Sequence, residues 1–208
     1  MVTKALRPKT ARDADATRGR ILEAIGQIIV RDGLAAVGIN ALAREAGCDK
    51  VLIYRYFGDL GGVYADFASR SDFWWTVEEL IEGIDPGRMS LAEAGKQILR
   101  RSTQVIRARP VTLAVLAAEP TERTALVIAL ETVREKRALE LARWLGTNFP
   151  VPKSVDLQAV SLLLSAGLTY LVVRARKIRV MNGVAVKSDE DWERIYVAVD
   201  ALVEGLFA

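Results

Sequence analysis

The stretch Gly38 to Phe57, GINALAREAGCDKVLIYRYF, contains two short helical patterns with a glycine between them. The apolar residues of the first pattern recur at the spacing of one helical turn, which predicts an α-helix with a single buried face. They are Ile39, Leu42, Ala43 and Ala46. Gly47 then ends this helix, because glycine adopts a positive φ without steric strain. A further helix from Asp49 to Phe57 completes a helix-turn-helix.

A longer helix is predicted before this motif, and it ends at Gly33. Its apolar stripe consists of Ile21, Leu22, Ile25, Ile28 and Ile29. Three helices within so short a stretch predict a small N-terminal domain over residues 17–58. Leu42 packs the second helix of this domain, and Ile53 and Phe57 anchor the third helix in the core.

The basic charge of the chain is concentrated at its N-terminal end. Residues 1–58 contain 10 Lys and Arg against 6 Asp and Glu, whereas the whole chain carries a net charge of only +3. Residues 1–16 are basic and contain no long apolar segment, so they are predicted to form a disordered arm rather than a signal peptide or membrane anchor. A positively charged N-terminal region beside a nearly neutral remainder favours binding to a polyanion. A charge of this size is also common on a solvated protein surface.

Residues 59–208 are predicted to form a second, entirely helical region. Helix caps and an apolar period of about 3.6 residues recur along it, while the alternation typical of strands does not. A long fourth helix is expected to begin at Asp59 and to reach Ile81. Ser90 and Glu93 form a capping-box pattern that opens the next helix.

The same signals predict the remaining helices. Pro110 fits the first turn of one helix, and residues 122–145 form a long helix that Gly146 ends. A helix capped by Ser154 runs to about Arg179, and one more follows it to the end of the chain. The predicted fold class is therefore all-α, with about nine helices and no sheet.

The residue types that support catalysis or metal binding are scarce. The chain has one cysteine, Cys48, and no histidine, which excludes an internal disulfide and a histidine–cysteine metal cluster. No Gly-rich phosphate loop and no nucleophile beside a base is recognisable, so we expect no catalytic site, no metal and no cofactor. A chain that cannot form an internal disulfide is expected to have a cytoplasmic location. Cys48 lies at the start of a helix, where a cysteine can be a redox-active thiol. We predict instead that its side chain packs in the core.

The apolar run from Ala159 to Val173 is 15 residues long. A membrane-spanning helix needs about 20 residues, so we predict instead a helix buried on two sides, against its own subunit and against a second copy. The last helix also has a full apolar stripe, and a homodimer joined by a four-helix bundle is expected. The predicted interface residues are Leu164, Leu168, Ile195, Val199 and Leu202.

The helix-turn-helix resembles that of TetR/AcrR transcriptional regulators. The residues that carry the resemblance are Leu42-Ala43, Ala46-Gly47, Ile53-Tyr54 and Phe57. The close match covers about residues 17–67, and the remainder is similar in helix count and length. Three positions depart from the family pattern by losing a polar side chain, and these are Gly38, Leu52 and Leu60.

The resemblance implies a ligand-responsive regulator with an N-terminal DNA-binding domain and a C-terminal helical domain for ligand binding and dimerisation. Such a homodimer binds a palindromic operator in double-stranded DNA and releases it when a small effector binds. The effector is expected to be hydrophobic or weakly polar, because few charges are predicted on the inward helix faces. The residues expected to line its cavity are Phe67, Trp74, Leu116, Trp144 and Tyr170.

The outward residues of the two motif helices are the predicted DNA contacts. They are Asn40, Arg44, Lys50, Val51, Leu52, Tyr54 and Tyr56. Lys50 is expected to donate to a guanine or a phosphate, and Val51 and Leu52 to contact thymine methyl groups. Arg55 is expected toward the flank, and the free helix N-terminus is expected to attract phosphate. The competing interpretations are an all-helical enzyme, a purely structural three-helix unit and an adaptor that binds only protein.

Overall fold

A computed structural model describes residues 9–70 and 73–207 of the chain. These residues form ten α-helices, one 3₁₀-helix and a two-stranded hairpin. In chain order the elements are α1 (Lys9–Asp32), the 3₁₀-helix (Leu34–Ala36), α2 (Ile39–Glu45), α3 (Lys50–Phe57), α4 (Leu60–Ser69), α5 (Val77–Ile81), α6 (Leu91–Ala108), α7 (Pro110–Ala118), α8 (Ala125–Asn148), α9 (Leu157–Ala175), β1 (Val180–Met181), β2 (Val184–Ala185) and α10 (Asp189–Phe207). The all-α prediction is confirmed apart from the hairpin.

The chain divides into two compact units. Of the described residues, the first contains those up to Phe73 together with Ala114–Glu131, and the second contains Trp74–Leu113 and those from Thr132 onward. Helices α1 to α4 therefore belong to one unit, whereas α5, α6, α9 and α10 belong to the other. Helices α7 and α8 each contribute residues to both units.

The core of the first unit is built on α1. The predicted stripe of this helix is buried, with Ile21 and Ile25 fully inaccessible to solvent. α1 contacts α2, α3 and α4, and each of these helices contributes a side chain with 0% exposure, namely Leu42, Ile53 and Val63. Helices this short are not stable alone, so the shared core fixes their orientation.

Helix α6 is the centre of the second unit, where it packs against α5, α9 and α10. It begins with the predicted capping box, in which Glu93 N donates to Ser90 Oγ at 3.2 Å and Ser90 N donates to Glu93 Oε2 at 2.7 Å. Ala94 and Ile98 on its inner side are buried. A helix that packs against three neighbouring helices needs a broad apolar face, and the sequence of α6 provides one.

A row of ion pairs joins α6 to α10. The pairs are Lys96–Glu204 at 2.5 Å, Arg100–Glu193 at 2.6 Å and Arg107–Asp189 at 2.9 Å. Arg100 also lies 4.5 Å from the ring centre of the buried Tyr196, and Arg107 lies 4.9 Å from that of Trp192. Hydrogen bonding to Arg100 lowers the pKa of Glu193. These contacts fix the antiparallel register of the two helices.

The predicted continuous fourth helix to Ile81 is wrong. α4 ends at Ser69, and α5 begins separately at Val77. Thr76 and Glu79 form a capping box, because Glu79 N donates to Thr76 Oγ1 at 3.2 Å and Thr76 N donates to Glu79 Oε2 at 2.7 Å. This capping box satisfies the free backbone donors at the start of a separate helix. The apolar period in the sequence therefore runs on across a point where one helix ends and another begins.

The prediction of no sheet is also wrong. Val180–Met181 pairs antiparallel with Val184–Ala185. The turn between them has φ 49° at Asn182 and φ 76° at Gly183. An Asn-Gly pair favours this type of two-residue hairpin turn, since both residues tolerate a positive φ.

Helix α1 begins earlier than predicted. It starts at Lys9, so residues 9–16 are helical and not part of a disordered arm. The hydroxyl of Thr17 donates to the carbonyl of Asp13 at 2.8 Å, a bond between successive turns. Residues 1–8 of the predicted arm lie outside the described residues.

Helix α9 is shorter than predicted at both ends. Its N-cap is Asp156, whose carboxylate accepts a hydrogen bond from Ala159 N at 3.0 Å, and not Ser154. It ends at Ala175, four residues before the predicted Arg179, and a turn leads from its end to the hairpin that begins at Val180. The basic residues after Val173 therefore lie beyond the helix or in its last turn.

Helix α8 passes through Gly146 and ends at Asn148, so the prediction that Gly146 terminates it is wrong. Gly146 does not have a positive φ, and a Cβ there would meet no atom within 4 Å. Phe149 N still donates to Leu145 O at 2.9 Å, and Pro150 follows. Proline is a common stop just beyond a helix.

The substitution Gly146→Ala should stabilise the protein by about 0.5–1 kcal/mol, because alanine favours the helix and restricts the unfolded chain. Gly183→Ala is the control, since φ 76° at that position strains any side chain and should cost about 1–2 kcal/mol. Urea denaturation followed by circular dichroism measures both free energies of unfolding. A loss of stability in Gly146→Ala would show that the helix ends at this glycine.

Candidate nucleic-acid interface

The helix-turn-helix lies where the sequence predicted it. Gly47 has φ 60°, and Cys48 N donates to Ala43 O at 3.0 Å across the turn. The carboxylate of Asp49 accepts a hydrogen bond from Val51 N at 2.8 Å and caps α3. The beginning of α3 is thus fixed by the turn that precedes it.

The cap changes one sequence-based expectation. A free N-terminus of α3 was expected to attract phosphate, but the Asp49 carboxylate already accepts from its first turn. A carboxylate there neutralises the positive end of the helix dipole. Attraction for DNA at this helix therefore depends on its side chains.

The exposed side of α3 carries four residues. Val51 is 66% exposed and Tyr54 is 52% exposed, while Ile53 on the opposite side is 0% exposed. Lys50 and Arg55 are also exposed. These four residues, Lys50, Val51, Tyr54 and Arg55, form what we call the exposed face of α3.

Arg55 is exposed on the same side of α3 as Val51. It follows Val51 by four residues, and residues four apart share one side of a helix. The spacing was visible in the sequence, and the burial of Ile53 on the opposite side identifies this side as the exposed one. Arginine is a strong donor to guanine, so Arg55 extends the predicted set of DNA contacts.

The other predicted DNA contacts differ in how far their side chains are exposed to solvent. Asn40 and Arg44 are exposed on α2, as a residue that reaches the DNA backbone must be. Leu52 and Tyr56 are half-buried beside the core. The structure therefore places these two at the edge of the exposed face of α3.

An arginine at the end of α1 holds α2 in place. Arg31 pairs with Glu45 through Nη1–Oε1 at 2.9 Å and Nη2–Oε2 at 2.8 Å, and it also hydrogen-bonds to Asp32. Hydrogen bonding to Arg31 lowers the pKa of both carboxylates. Since a lowered pKa keeps a carboxylate charged, these pairs persist at neutral pH and are lost as the pH falls through those lowered values.

Cys48 behaves as a packing residue. It is half-buried at the turn, and burial raises the pKa of its thiol. A reactive cysteine needs a lowered pKa, because the thiolate is the nucleophile. Among the described residues, no group of three or more His, Cys, Asp or Glu could hold a metal ion.

The five predicted ligand-lining residues are divided between the two units. Phe67 and Leu116 are buried in the first unit. In the second unit, Trp74 is buried and Trp144 is half-buried, whereas Tyr170 is 53% exposed on α9. The subunit thus does not enclose Tyr170, and the cavity stays a prediction.

Two arginines accompany Trp74, contrary to the expectation of few inward charges. Arg137 Nη1 donates to Trp74 O at 2.5 Å and to Trp75 O at 3.1 Å. The guanidinium of Arg134 lies 5.4 Å from the Trp74 ring centre. Burial lowers the pKa of Arg137. The surroundings of Trp74 therefore combine aromatic surface with cations.

The predicted interface residues are not all available to a second subunit. Leu168 and Val199 are 5% and 9% exposed, so they are buried within the subunit itself, which corrects their assignment. Leu164 and Ile195 are half-buried, and Leu202 is 57% exposed.

Helices α9 and α10 nevertheless expose a large apolar surface. We call the following residues the apolar face: Leu162, Leu163, Tyr170, Val197, Leu202 and Leu206, which are 66%, 73%, 53%, 60%, 57% and 39% exposed. α9 is 19 residues long with a mean hydropathy of 1.5, and only 11% of this apolar stretch is buried. By length and composition it could cross a membrane, and it is the one such helix among the described residues.

Comparison with known proteins identifies the motif. A family model described as bacterial regulatory proteins of the tetR family matches residues 21–59. Over 55 residues the chain is 44% identical to the HTH-type transcriptional repressor SCO4008 of Streptomyces coelicolor. That alignment covers 26% of this chain and 29% of the repressor, so it spans less than a third of this curated relative.

Solved structures share the fold over nearly the whole chain. The TetR-family regulator HI0893 from Haemophilus influenzae has a TM-score of 0.63 at 17% identity, covering 92% of this chain and 97% of that one. The fatty acid degradation regulator FadR from Bacillus halodurans has a TM-score of 0.64 at 16% identity, covering 95% and 96%. At these identities the likeness shows a common all-helical fold with an N-terminal helix-turn-helix.

Proposed function

We propose that this chain, whose N-terminal domain belongs to the TetR family of bacterial regulatory proteins, is a cytoplasmic transcriptional repressor without enzymatic activity. It binds a palindromic operator in double-stranded DNA as a homodimer and releases it when a small effector binds. The observation that carries the proposal is the exposed face of α3, which holds two cations and a tyrosine on a helix fixed by its cap and core. Such a face fits the major groove of DNA.

The residues of this face support a specific mode of reading. Lys50 and Arg55 can each donate to the O6 and N7 acceptors of a guanine. Val51 can pack on the methyl group of a thymine, and the Tyr54 hydroxyl can donate to a phosphate. α3 contains no Asn or Gln, so bidentate reading of adenine is not available from it. We infer a half-site with guanine and thymine at the contacted positions, with exposed Asn40 on α2 against the DNA backbone.

The apolar face of α9 and α10 supports a homodimer. Both helices pack against α6 on their inner sides, and each leaves large apolar side chains exposed, which favours their burial against a partner. The small residues Ser165, Ala166 and Gly167 are also exposed on α9, which lets a second helix approach closely. A second copy of this chain is the occupant we propose, since a two-fold dimer matches a palindromic operator.

The effector that we propose is small and hydrophobic or weakly polar. Buried Trp74 supplies aromatic surface of the kind that lines ligand sites. Arg134 and Arg137 stand beside Trp74, which favours a ligand with a hydrogen-bond acceptor over a pure hydrocarbon. Tyr170 fits the apolar face better than the ligand site.

Lys50→Ala and Arg55→Ala should each weaken operator binding by roughly 1–3 kcal/mol and relax the preference at one base pair. Tyr54→Phe should weaken binding to all sequences alike, because it removes a phosphate contact. The measurement is fluorescence anisotropy on single-base variants of the duplex that the protein selects from a random pool. Lys153→Ala removes the same charge from an exposed loop residue before α9 and should leave base preference unaltered.

Replacing thymine with uracil removes only the methyl group and tests the apolar contact directly. One such replacement should weaken binding by the wild-type chain but not by Val51→Ala, which has already lost that contact. The reading mode is wrong if no uracil replacement matters and both cation variants keep the wild-type base preference.

Leu163→Glu combined with Val197→Glu should convert a dimer into a monomer, because two charges per subunit would be buried without partners. Sedimentation velocity at micromolar concentration measures the oligomeric state. Val180→Glu is the matched control, since Val180 is 57% exposed but lies on the hairpin, and this variant should stay a dimer. A monomeric wild-type chain, or a double variant that remains dimeric, would refute the proposed interface.

A further inference from the structure

We propose that Arg18 is a positioning residue for operator binding, which holds the C-terminal end of α3 against α1 and α4. This inference rests on the proposed function, and it assigns a role to a residue outside the helix-turn-helix motif that does not itself contact DNA. Arg18 lies on α1, 38 positions from one of its partners and 48 from another.

The guanidinium of Arg18 contacts three groups at once. Nη1 donates to the carbonyl of Tyr56 at 2.9 Å, and Nη2 pairs with the carboxylate of Asp66 on α4. The carbon Cζ lies 4.8 Å from the ring centre of Phe57. Tyr56 and Phe57 are the last two residues of α3, so a single side chain holds the end of this helix.

The end of α3 needs such a partner. The last carbonyl groups of a helix lack intrahelical donors and carry the negative end of the dipole, which a cation complements. α3 has only eight residues, too few for a stable isolated helix. Its start is held by Asp49 and its middle by Ile53 in the core, and Arg18 supplies the third point of attachment.

The same contact joins α3 to α4. The carboxylate of Asp59 caps α4 by accepting from Gly62 N at 2.9 Å, and a Cβ at Gly62 would lie 1.9 Å from the carbonyl oxygen of Phe57. The first turn of α4 therefore rests directly on the last turn of α3. Asp66 follows Gly62 by one helical turn, so its ion pair with Arg18 adds a second point that holds the junction.

Loss of this attachment should affect DNA contacts at a distance. Hydrogen bonds to base edges need donors within a few tenths of an ångström of their ideal positions. Arg55 lies immediately before Tyr56, so any tilt of the helix end moves it first. Arg18 thus acts on base reading through the orientation of α3.

Asp66→Asn separates positioning from direct electrostatics. Removing a negative charge from a DNA-binding domain strengthens binding through Coulomb attraction alone. If the Arg18–Asp66 pair positions α3, Asp66→Asn should instead weaken operator binding, by roughly 2- to 5-fold, the loss expected for an ion pair whose side chains are 40% and 41% exposed. Arg18→Gln should weaken it by at least as large a factor, because it also removes the contacts with Tyr56 and Phe57. Both are measured on the full chain, with the duplex that the wild type selects from a random pool.

Salt dependence and a double variant sharpen the test. Arg18→Gln should leave the slope of log Kd against log salt unchanged, whereas loss of a phosphate contact would change it by about 0.9. The variant carrying both Arg18→Gln and Asp66→Asn should bind like Arg18→Gln alone, because Asp66 acts on α3 only through Arg18. Glu23→Gln is the charge-matched control from an exposed position on α1, and it should bind as tightly as the wild type or more tightly.

Three results would overturn the proposal. The first is unchanged or tighter binding by Asp66→Asn, and the second is a changed salt slope for Arg18→Gln. The third is a lower Tm for both variants with an unchanged Kd well below the Tm, which would indicate a role in stability alone. Arg18→Lys keeps the charge but not the planar fork, and it should also bind more weakly, which keeps the test decisive if Arg18→Gln unfolds. A wild-type chain that selects no duplex would instead refute the proposed function.

Discussion

An α-helix of eight residues cannot keep its own orientation in water, and the first unit is organised around that constraint on α3. The core built on α1 holds the middle of α3 through Ile53. Asp49 caps its start, and Arg18 binds its end. These attachments leave the exposed face of α3 without a structural role, so its side chains are available for binding chemistry. A rigid scaffold that presents polar groups is what sequence-specific recognition requires.

The second unit follows a similar principle with longer helices. α6 is the common partner of α5, α9 and α10, and the ion pairs between α6 and α10 fix their register. The apolar face remains exposed because a single subunit has no further layer to cover it. A second copy related by a two-fold axis would bury it and would also present two recognition helices. The two-fold axis of the dimer would then coincide with the two-fold axis of a palindromic operator.

Local signals in the sequence were sufficient for the helix-turn-helix and for the capping box at Ser90, because turns and caps depend on neighbouring residues. They were insufficient where one local signal competes with another. The cap at Thr76 interrupts a continuous apolar period, and Gly146 lies inside a helix that it was predicted to end. The burial of Leu168 rather than Leu163 was also out of reach, since a helix that is apolar nearly all round does not indicate which side meets its own core. The contacts of Arg18 join residues 38 and 48 positions apart, and a periodic pattern in the sequence does not indicate contacts at such separations.

The central claim is that a symmetric dimer places two α3 helices in successive major grooves. Hydroxyl-radical footprinting of the operator selected by the full chain tests it most directly. The account predicts two protected patches related by a two-fold axis, with centres about 10–10.5 base pairs apart or at a multiple of that spacing. A single asymmetric patch, or equal protection of every duplex regardless of sequence, would contradict it.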